Sequence, residues 1–127
     1  MRILLAEDNV VNQVVATKML QKMGHSVKVA VNGRQALEKV KSESIDLIFM
    51  DGHMPEMDGI AATRAIREWE RARGTHIPII AMTAMALNSD REVCLRAGMD
   101  AFIPKPIDMK ILRETIHRVM NTAAQQP

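Results

Sequence analysis

The sequence predicts an α/β fold, a doubly wound five-stranded parallel sheet, and three observations predict it. Short apolar runs alternate five times with segments of helical periodicity. The connections between them are short and rich in turn and cap residues. The two most apolar strand candidates both end in carboxylates: Ile3-Leu4-Leu5-Ala6 runs into Glu7 and Asp8, and Ile45-Asp46-Leu47-Ile48-Phe49-Met50 runs into Asp51. In an open parallel sheet the carboxyl ends of the strands lie side by side and ligands bind in the crevice there.

The first strand is expected at 2–6 and the first helix at 10–23, closed by Gly24. At the helical period Val15, Ala16, Met19, Leu20 and Met23 form a stripe that should face the sheet. Val10, Val11 and Val14 fall on the opposite side, near the acidic residues. Solvent-facing β-branched residues in a helix ask for a reason, and a docking surface for a helical partner supplies one. Asn12 sits in the apolar stripe; a buried amide needs partners, and the backbone beside Lys105-Pro106 is the expected one.

The second strand reads as 26–31, and Asn32-Gly33 opens a helix over 33–43. The third strand, 45–50, leads through a loop to Asp58-Gly59, a turn and helix start with no chemical role of its own. In the helix over 59–73, Arg64, Arg67, Arg71 and Arg73 read as a solvated face, acidic partners being the lesser reading. Glu56 reads as a solvated loop acid, and His25, His76 and His117 as surface or loop residues without ligand spacing. Strand four at 77–81, a helix at 88–97 closed by Gly98, strand five at 100–103 and a helix at 108–121 capped by Asp108 complete the pattern. Residues 1–122 form one domain, and 123–127 a frayed tail.

Periodicity does not set the strand order. Right-handed crossovers and the need for a switch point allow 2-1-3-4-5, which makes strands one and three neighbours and gathers Glu7, Asp8 and Asp51.

Bulk properties exclude several function classes. A chain of 127 residues is one domain with room for one core. A net charge of +2 argues for neither nucleic acid nor an anionic membrane. Two Phe, one Trp and no Tyr argue against single-strand binding by base stacking as well. The lone Cys94 has no disulfide partner within the chain and reads as a buried helix residue. No signal peptide opens the sequence and no apolar run approaches membrane-spanning length. A cytoplasmic domain, or the cytoplasmic part of a larger membrane-bound protein, is expected.

The strand ends carry a chemistry. Three carboxylates repel unless a cation sits among them, and an oxygen-only ligand set suits Mg²⁺, with Mn²⁺ as a substitute. Thr83 follows strand four, and Lys105 lies just past strand five. A carboxylate nucleophile, a divalent cation, a hydroxyl and an ammonium are together sufficient for phosphoryl transfer, where positioning and charge neutralisation do most of the catalysis.

These residues resemble the receiver domain of two-component response regulators, with its flavodoxin-like (βα)5 fold. The resemblance spans about residues 2–121. It rests on Glu7-Asp8-Asn9, on the run from Met50-Asp51 to Asp58-Gly59, on Thr83-Ala84 and on Lys105-Pro106, in order at the ends of strands one, three, four and five. Glu7-Asp8-Asn9 with Asn12 is most similar to receivers of hybrid sensor kinases and phosphorelays. The resemblance implies that Asp51 accepts a phosphoryl group from a phosphohistidine. Asp8, Asp51 and the His53 carbonyl would ligate Mg²⁺, and Glu7 would act through water. Thr83 and Ala84 would hold phosphoryl oxygens, Lys105 would pair with the phosphoryl group, and the bond to Pro106 would be cis. Partners would be a histidine kinase dimerisation domain or a histidine-phosphotransfer protein, with the domain a monomer or weak dimer. Its output would be a shift of the face built from the last two strands and helices, and no output domain follows within the chain.

Three departures from the commonest pattern matter. Gly52 follows the acceptor where a larger apolar residue is usual. Phe102 takes the place of a switch aromatic that is often Tyr, so switching rests on burial of the ring and on Thr83. His53 and Met85 flank the path of a hydrolytic water; an apolar Met85 cannot orient that water, which implies slow self-dephosphorylation.

Two other classes compete. A phosphatase of the haloacid-dehalogenase type also uses a strand-end Asp with Mg²⁺, but wants a second Asp where His53 stands. A phosphorylation-independent interaction module on this fold would lack an acidic or lysine position, and none is missing. A nucleotide or flavin binder would need a Gly-rich loop after strand one, where the sequence is Glu7-Asp8-Asn9-Val10.

Overall fold

Every residue of the interior strand β1 (Arg2–Ala6) beyond Arg2 is buried, because it has a neighbour on each side and helices over each face. The computed structural model describes residues 1–51, 54, 57–83 and 88–125, the backbone alone at 83, 88–91 and 122–125. Along the chain follow α1 (Val10–Lys22), β2 (Ser26–Ala30), α2 (Gly33–Ser42), β3 (Leu47–Asp51), α3 (Gly59–Arg71), β4 (Ile79–Thr83), α4 (Asn88–Ala97), β5 (Ala101–Pro104) and α5 (Met109–Gln125). The strands are parallel in the order β2-β1-β3-β4-β5. The chain therefore has the doubly wound sheet and the switch point between β1 and β3 that the strand-end carboxylates required.

Side chains alternate across a strand, so the sheet has two cores. Leu4, Ala6, Ile48 and Met50 pack with Ala36, Val40, Ala62 and Ile66 of α2 and α3. Ile3, Leu5, Leu47 and Phe49 pack with Ala16 and Leu20 of α1 and Leu112, Ile116 and Val119 of α5. Each large side chain taken fully out of water contributes about 1.5–3 kcal/mol. Cys94 is buried in the first of these cores. Among the described residues no helix is long and apolar enough to cross a membrane.

Local chemistry sets the element ends. The side chains of Asn9, Asn32 and Asp58 accept from Asn12, Gln35 and Ala61 N–H and start α1, α2 and α3. Asp108 accepts from Lys110 and Ile111 N–H at the start of α5. Gly98 closes α4 at φ +111°, a conformation that side-chain-bearing residues rarely adopt.

Several boundaries and one face differ from expectation. β4 starts at Ile79, because Pro78 has no N–H for the ladder and the Ile77 N–H is drawn to Glu70 instead. β3 starts at Leu47, two residues late, and includes Asp51. The helical backbone of α5 continues to Gln125, into the 123–127 stretch expected to fray. Val15 does not face the sheet: it is 42% exposed and lies one turn from Val11 on the outer row, while the buried row centres on Ala16 and Leu20.

Candidate functional site

The parallel register builds the site. Ala6 of β1 pairs with Met50 of β3, so the residues that follow, Glu7 and Asp8, arrive beside Asp51. Carboxylate oxygens of Glu7, Asp8 and Asp51 all lie within 4.8 Å of one another. Glu7 and Asp51 are buried and Asp8 is exposed. Lys105 follows β5 and extends its ammonium between the two buried acids, 3.0 Å from Glu7 Oε2 and 3.1 Å from Asp51 Oδ2. The Lys105–Pro106 peptide bond is cis.

Burial of the Lys105 ammonium draws its pKa down, but the hydrogen bonds it donates to Glu7 and Asp51, reinforced by their charges, outweigh burial and hold it above the ordinary lysine value. One ammonium against three carboxylates leaves an excess of negative charge. Among the described residues, this is the one group of three or more acidic, His or Cys side chains with the spacing of a metal site. The donors are all hard oxygens, the set that Mg²⁺ takes, so the residues fit a divalent cation.

Thr83 ends β4 opposite Pro104, which brings its backbone to the same edge as Asp51 and Lys105. Its side chain lies outside the described residues, as do Gly52, His53, Glu56, Ala84 and Met85. Phe102 packs against the α2/α3 core and also lines a cavity of about 380 Å³ with Leu95, Ile111 and Arg118, between α4 and α5. On α1, Val10 and Val11 are 68% and 69% exposed and Val14 48%, so with Val15 they form an apolar strip beginning beside Asp8.

Two side chains of α1 and α3 differ from the sequence expectation. The amide of α1 that reaches the backbone is Gln13, not Asn12: Gln13 Nε2 donates to the Glu7 carbonyl at 2.7 Å, while Asn12 contributes its backbone N–H to the Asn9 cap. The reach spans six residues, and no helical-face argument selects it. Arg67 is not on a solvated face. Its guanidinium donates to Glu70 at 2.5 Å, to Asp100 at 2.8 Å, and to the carbonyls of Gly98 and Ile77. His76 joins the same cluster through Asp100, 2.7 Å away. Arg71 and Arg73 do lie on the surface, with Glu68 and over the Trp69 ring respectively.

Buried acids on adjacent strand ends, tied by a lysine from a third strand, are the arrangement that the sequence motifs implied. Residues 3–117 match the family described as the response regulator receiver domain. The chain belongs to that family. Its relatives include hybrid signal transduction histidine kinase I of Dictyostelium discoideum, 45% identical over 121 residues that cover 91% of this chain and 7% of that protein. The receiver domain of a Pseudomonas aeruginosa sensor histidine kinase is 42% identical with a TM-score of 0.85, over 94% of this chain and 97% of that one. That structure holds a magnesium ion coordinated in its active-site cleft. The receiver of the Saccharomyces cerevisiae regulator Ssk1, solved in complex with the histidine phosphotransfer protein Ypd1, is 31% identical with a TM-score of 0.87, over 94% and 88% of the two chains. The receiver fold is thus shared across these neighbours, and the chain is a receiver domain of two-component signalling. It spans between 5% and 16% of the length of eight of its curated relatives, each of them a histidine kinase by name.

Proposed function

We propose that this receiver takes a phosphoryl group from a phosphohistidine onto Asp51, in a reaction that needs Mg²⁺ and accepts Mn²⁺. The observation that carries the reading is the cluster of Glu7, Asp8 and Asp51 tied by Lys105. An Asp51 oxygen attacks phosphorus, the P–N bond to the donor imidazole breaks, and the ring nitrogen takes a proton from solvent. Asp8, Asp51 and the His53 carbonyl would hold the cation, with Glu7 acting through water. When bound, the ion neutralises phosphoryl oxygens and lowers the repulsion between the acceptor and its anionic donor. Lys105 is already at Asp51 and would swing its ammonium onto the transferred group, exchanging a carboxylate partner for a phosphoryl one. Thr83 through its hydroxyl and Ala84 through its N–H would take the remaining oxygens.

The signal would pass through Thr83 and Phe102 to the face of β4, β5, α4 and α5, the Phe102 ring moving within the cavity it lines. The donor would be a histidine-phosphotransfer protein or a kinase dimerisation domain, whose helices would cover Val10, Val11 and Val14. Residues 1–122 would work as a cytoplasmic module of a hybrid kinase or phosphorelay, monomeric or weakly dimeric, with no contact to nucleic acid or membrane. Met85 would leave the acyl phosphate slow to hydrolyse.

The test is intact mass after incubation with Mg²⁺ and acetyl phosphate, for wild type and Asp51→Asn. One phosphoryl group gained by the wild type alone is the expected result. No gain by a wild type that binds Mg²⁺ would leave a phosphorylation-independent interaction module.

A further inference from the structure

The three acids of the pocket are not held alike. Glu7 is fixed on both sides, Oε2 by Lys105 at 3.0 Å and Oε1 by the Asn9 N–H at 3.1 Å. Asp51 is the last residue of β3, paired across the ladder with Met82, and Lys105 reaches its carboxylate. Asp8 is exposed, and among the described residues nothing hydrogen-bonds or ion-pairs with its carboxylate. Where that carboxylate points therefore depends on the backbone that carries it.

That backbone leaves the sheet at Glu7, whose N–H donates to Ala30 O at 2.9 Å as the last link to β2. Among the described residues, the next peptide unit, between Glu7 and Asp8, has no sheet partner for its carbonyl. Gln13 supplies one from the second turn of α1, its Nε2 at 2.7 Å from the Glu7 oxygen. The acceptor is a carbonyl, so only the NH₂ end of the amide can face it. Fixing this oxygen fixes the plane of the Glu7–Asp8 peptide, and with it the direction in which the Asp8 side chain leaves the chain.

We propose that Gln13 is a positioning residue for the cation site, orienting the Glu7–Asp8 peptide so that the Asp8 carboxylate meets those of Glu7 and Asp51. Gln13 touches neither the cation nor the reacting atoms and acts through Asp8. Its neighbour Val14 belongs to the exposed apolar strip, so a helix docked there would press on the turn that carries Gln13. The inference rests on the reading of the pocket as a divalent cation site.

Mn²⁺ binding to the unphosphorylated protein, followed by electron paramagnetic resonance of the free ion, tests it without any turnover. Gln13→Met keeps the length and helix propensity of the side chain and removes the donor. The dissociation constant should rise about ten-fold, as for loss of an outer partner of a metal ligand. Asn12→Ala removes a neighbouring half-buried amide from the same helix and should leave the constant within about two-fold. In phosphorylation by acetyl phosphate, Gln13→Met should raise the Mg²⁺ concentration for half-maximal rate and leave the rate at saturating Mg²⁺ unchanged. If Gln13→Met does not fold, Gln13→Glu sets an acceptor against the same carbonyl and should weaken Mn²⁺ at least as much. An unchanged constant in the folded variant, or equal weakening by Asn12→Ala, overturns the proposal. A wild type that binds no Mn²⁺ overturns the cation site itself, and this proposal with it.

Discussion

Lys105 Nζ lies 3.0 Å from Glu7 Oε2, and Glu7 is 1% exposed. An acid so placed has no water to replace a lost partner, and Asp51 shares the same ammonium. Truncating the lysine leaves two buried carboxylates facing each other. Lys105→Met should therefore destabilise the metal-free protein by about 2 kcal/mol, less than for a fully buried pair because the ammonium keeps some contact with water. The pH dependence has a definite sign. The folded pKa of Lys105 is above its ordinary 10.5, so its contribution is complete below pH 10.5 and disappears as pH climbs through the folded value. Denaturant melts of both proteins should show a gap that is constant through neutral pH and closes in strong alkali. Added Mg²⁺ should stabilise the variant more than the wild type, since a bound cation replaces the missing charge. Equal stability of the two proteins without Mg²⁺ would remove this account of the pocket.

Gly59 is more than the start of a helix. A Cβ built there would collide with the Asp51 carbonyl and crowd the Met50 side chain. The first residue of α3 thus presses against the backbone of the strand that ends in Asp51, and only hydrogen fits between them. Gly59→Ala should cost about 2 kcal/mol by forcing that backbone apart. Because the displaced residue is Asp51, the phosphorylation rate should fall even at temperatures where the variant is fully folded. A variant that loses stability but keeps the wild-type rate would show that α3 yields instead of β3.

At the other end of the sheet, the Arg67 side chain is 14% exposed and that of Glu70 2%. The guanidinium joins α3 to the start of β4 and to the residue before β5, and Asp100 in turn accepts from Ile79 N–H at 2.8 Å. Arg67→Met should destabilise by about 3 kcal/mol, by stranding Glu70 in the interior. Arg67→Lys should recover little of this, since one ammonium cannot serve acceptors spread along a planar fork. Thermal melts of the two variants decide it: full rescue by lysine would mean that charge alone, without the fork geometry, holds the cluster.

The contrast between the two ends explains what the sequence discloses. The acidic pocket is legible because each of its residues ends an apolar strand, and strand ends converge by topology whatever the details of packing. Caps such as Asn32, Asp58 and Asp108 are legible because their partners are three residues or fewer away. Arg67 is not legible: Arg67 and Asp100 are separated by 33 residues, and nothing in the helix period distinguishes it from Arg71 on the surface. Gln13 escaped for a related reason, since its partner is a backbone oxygen and leaves no trace in residue type. Val15 was placed on the wrong row because apolarity alone does not tell a core face from a docking face.

That error enlarges the proposed docking strip. Val10, Val11, Val14 and Val15 are all more than 40% exposed, and together they run from the acidic pocket down the outer side of α1. If the donor's phosphohistidine reaches Asp51 past Asp8, as proposed, a donor helix approaching the pocket would lie along this strip. Val14 sits at its centre. Val14→Lys keeps the helix and puts a charge where the donor would bury apolar surface, which should slow transfer from a phosphorylated histidine-phosphotransfer protein by about ten-fold or more. Phosphorylation by acetyl phosphate, too small to touch α1 beyond the pocket, should proceed at the wild-type rate. Single-turnover kinetics with the two donors separate the cases. Equal slowing with both would mean that the substitution disturbs the acidic turn itself, and loss with neither would move the donor to another face.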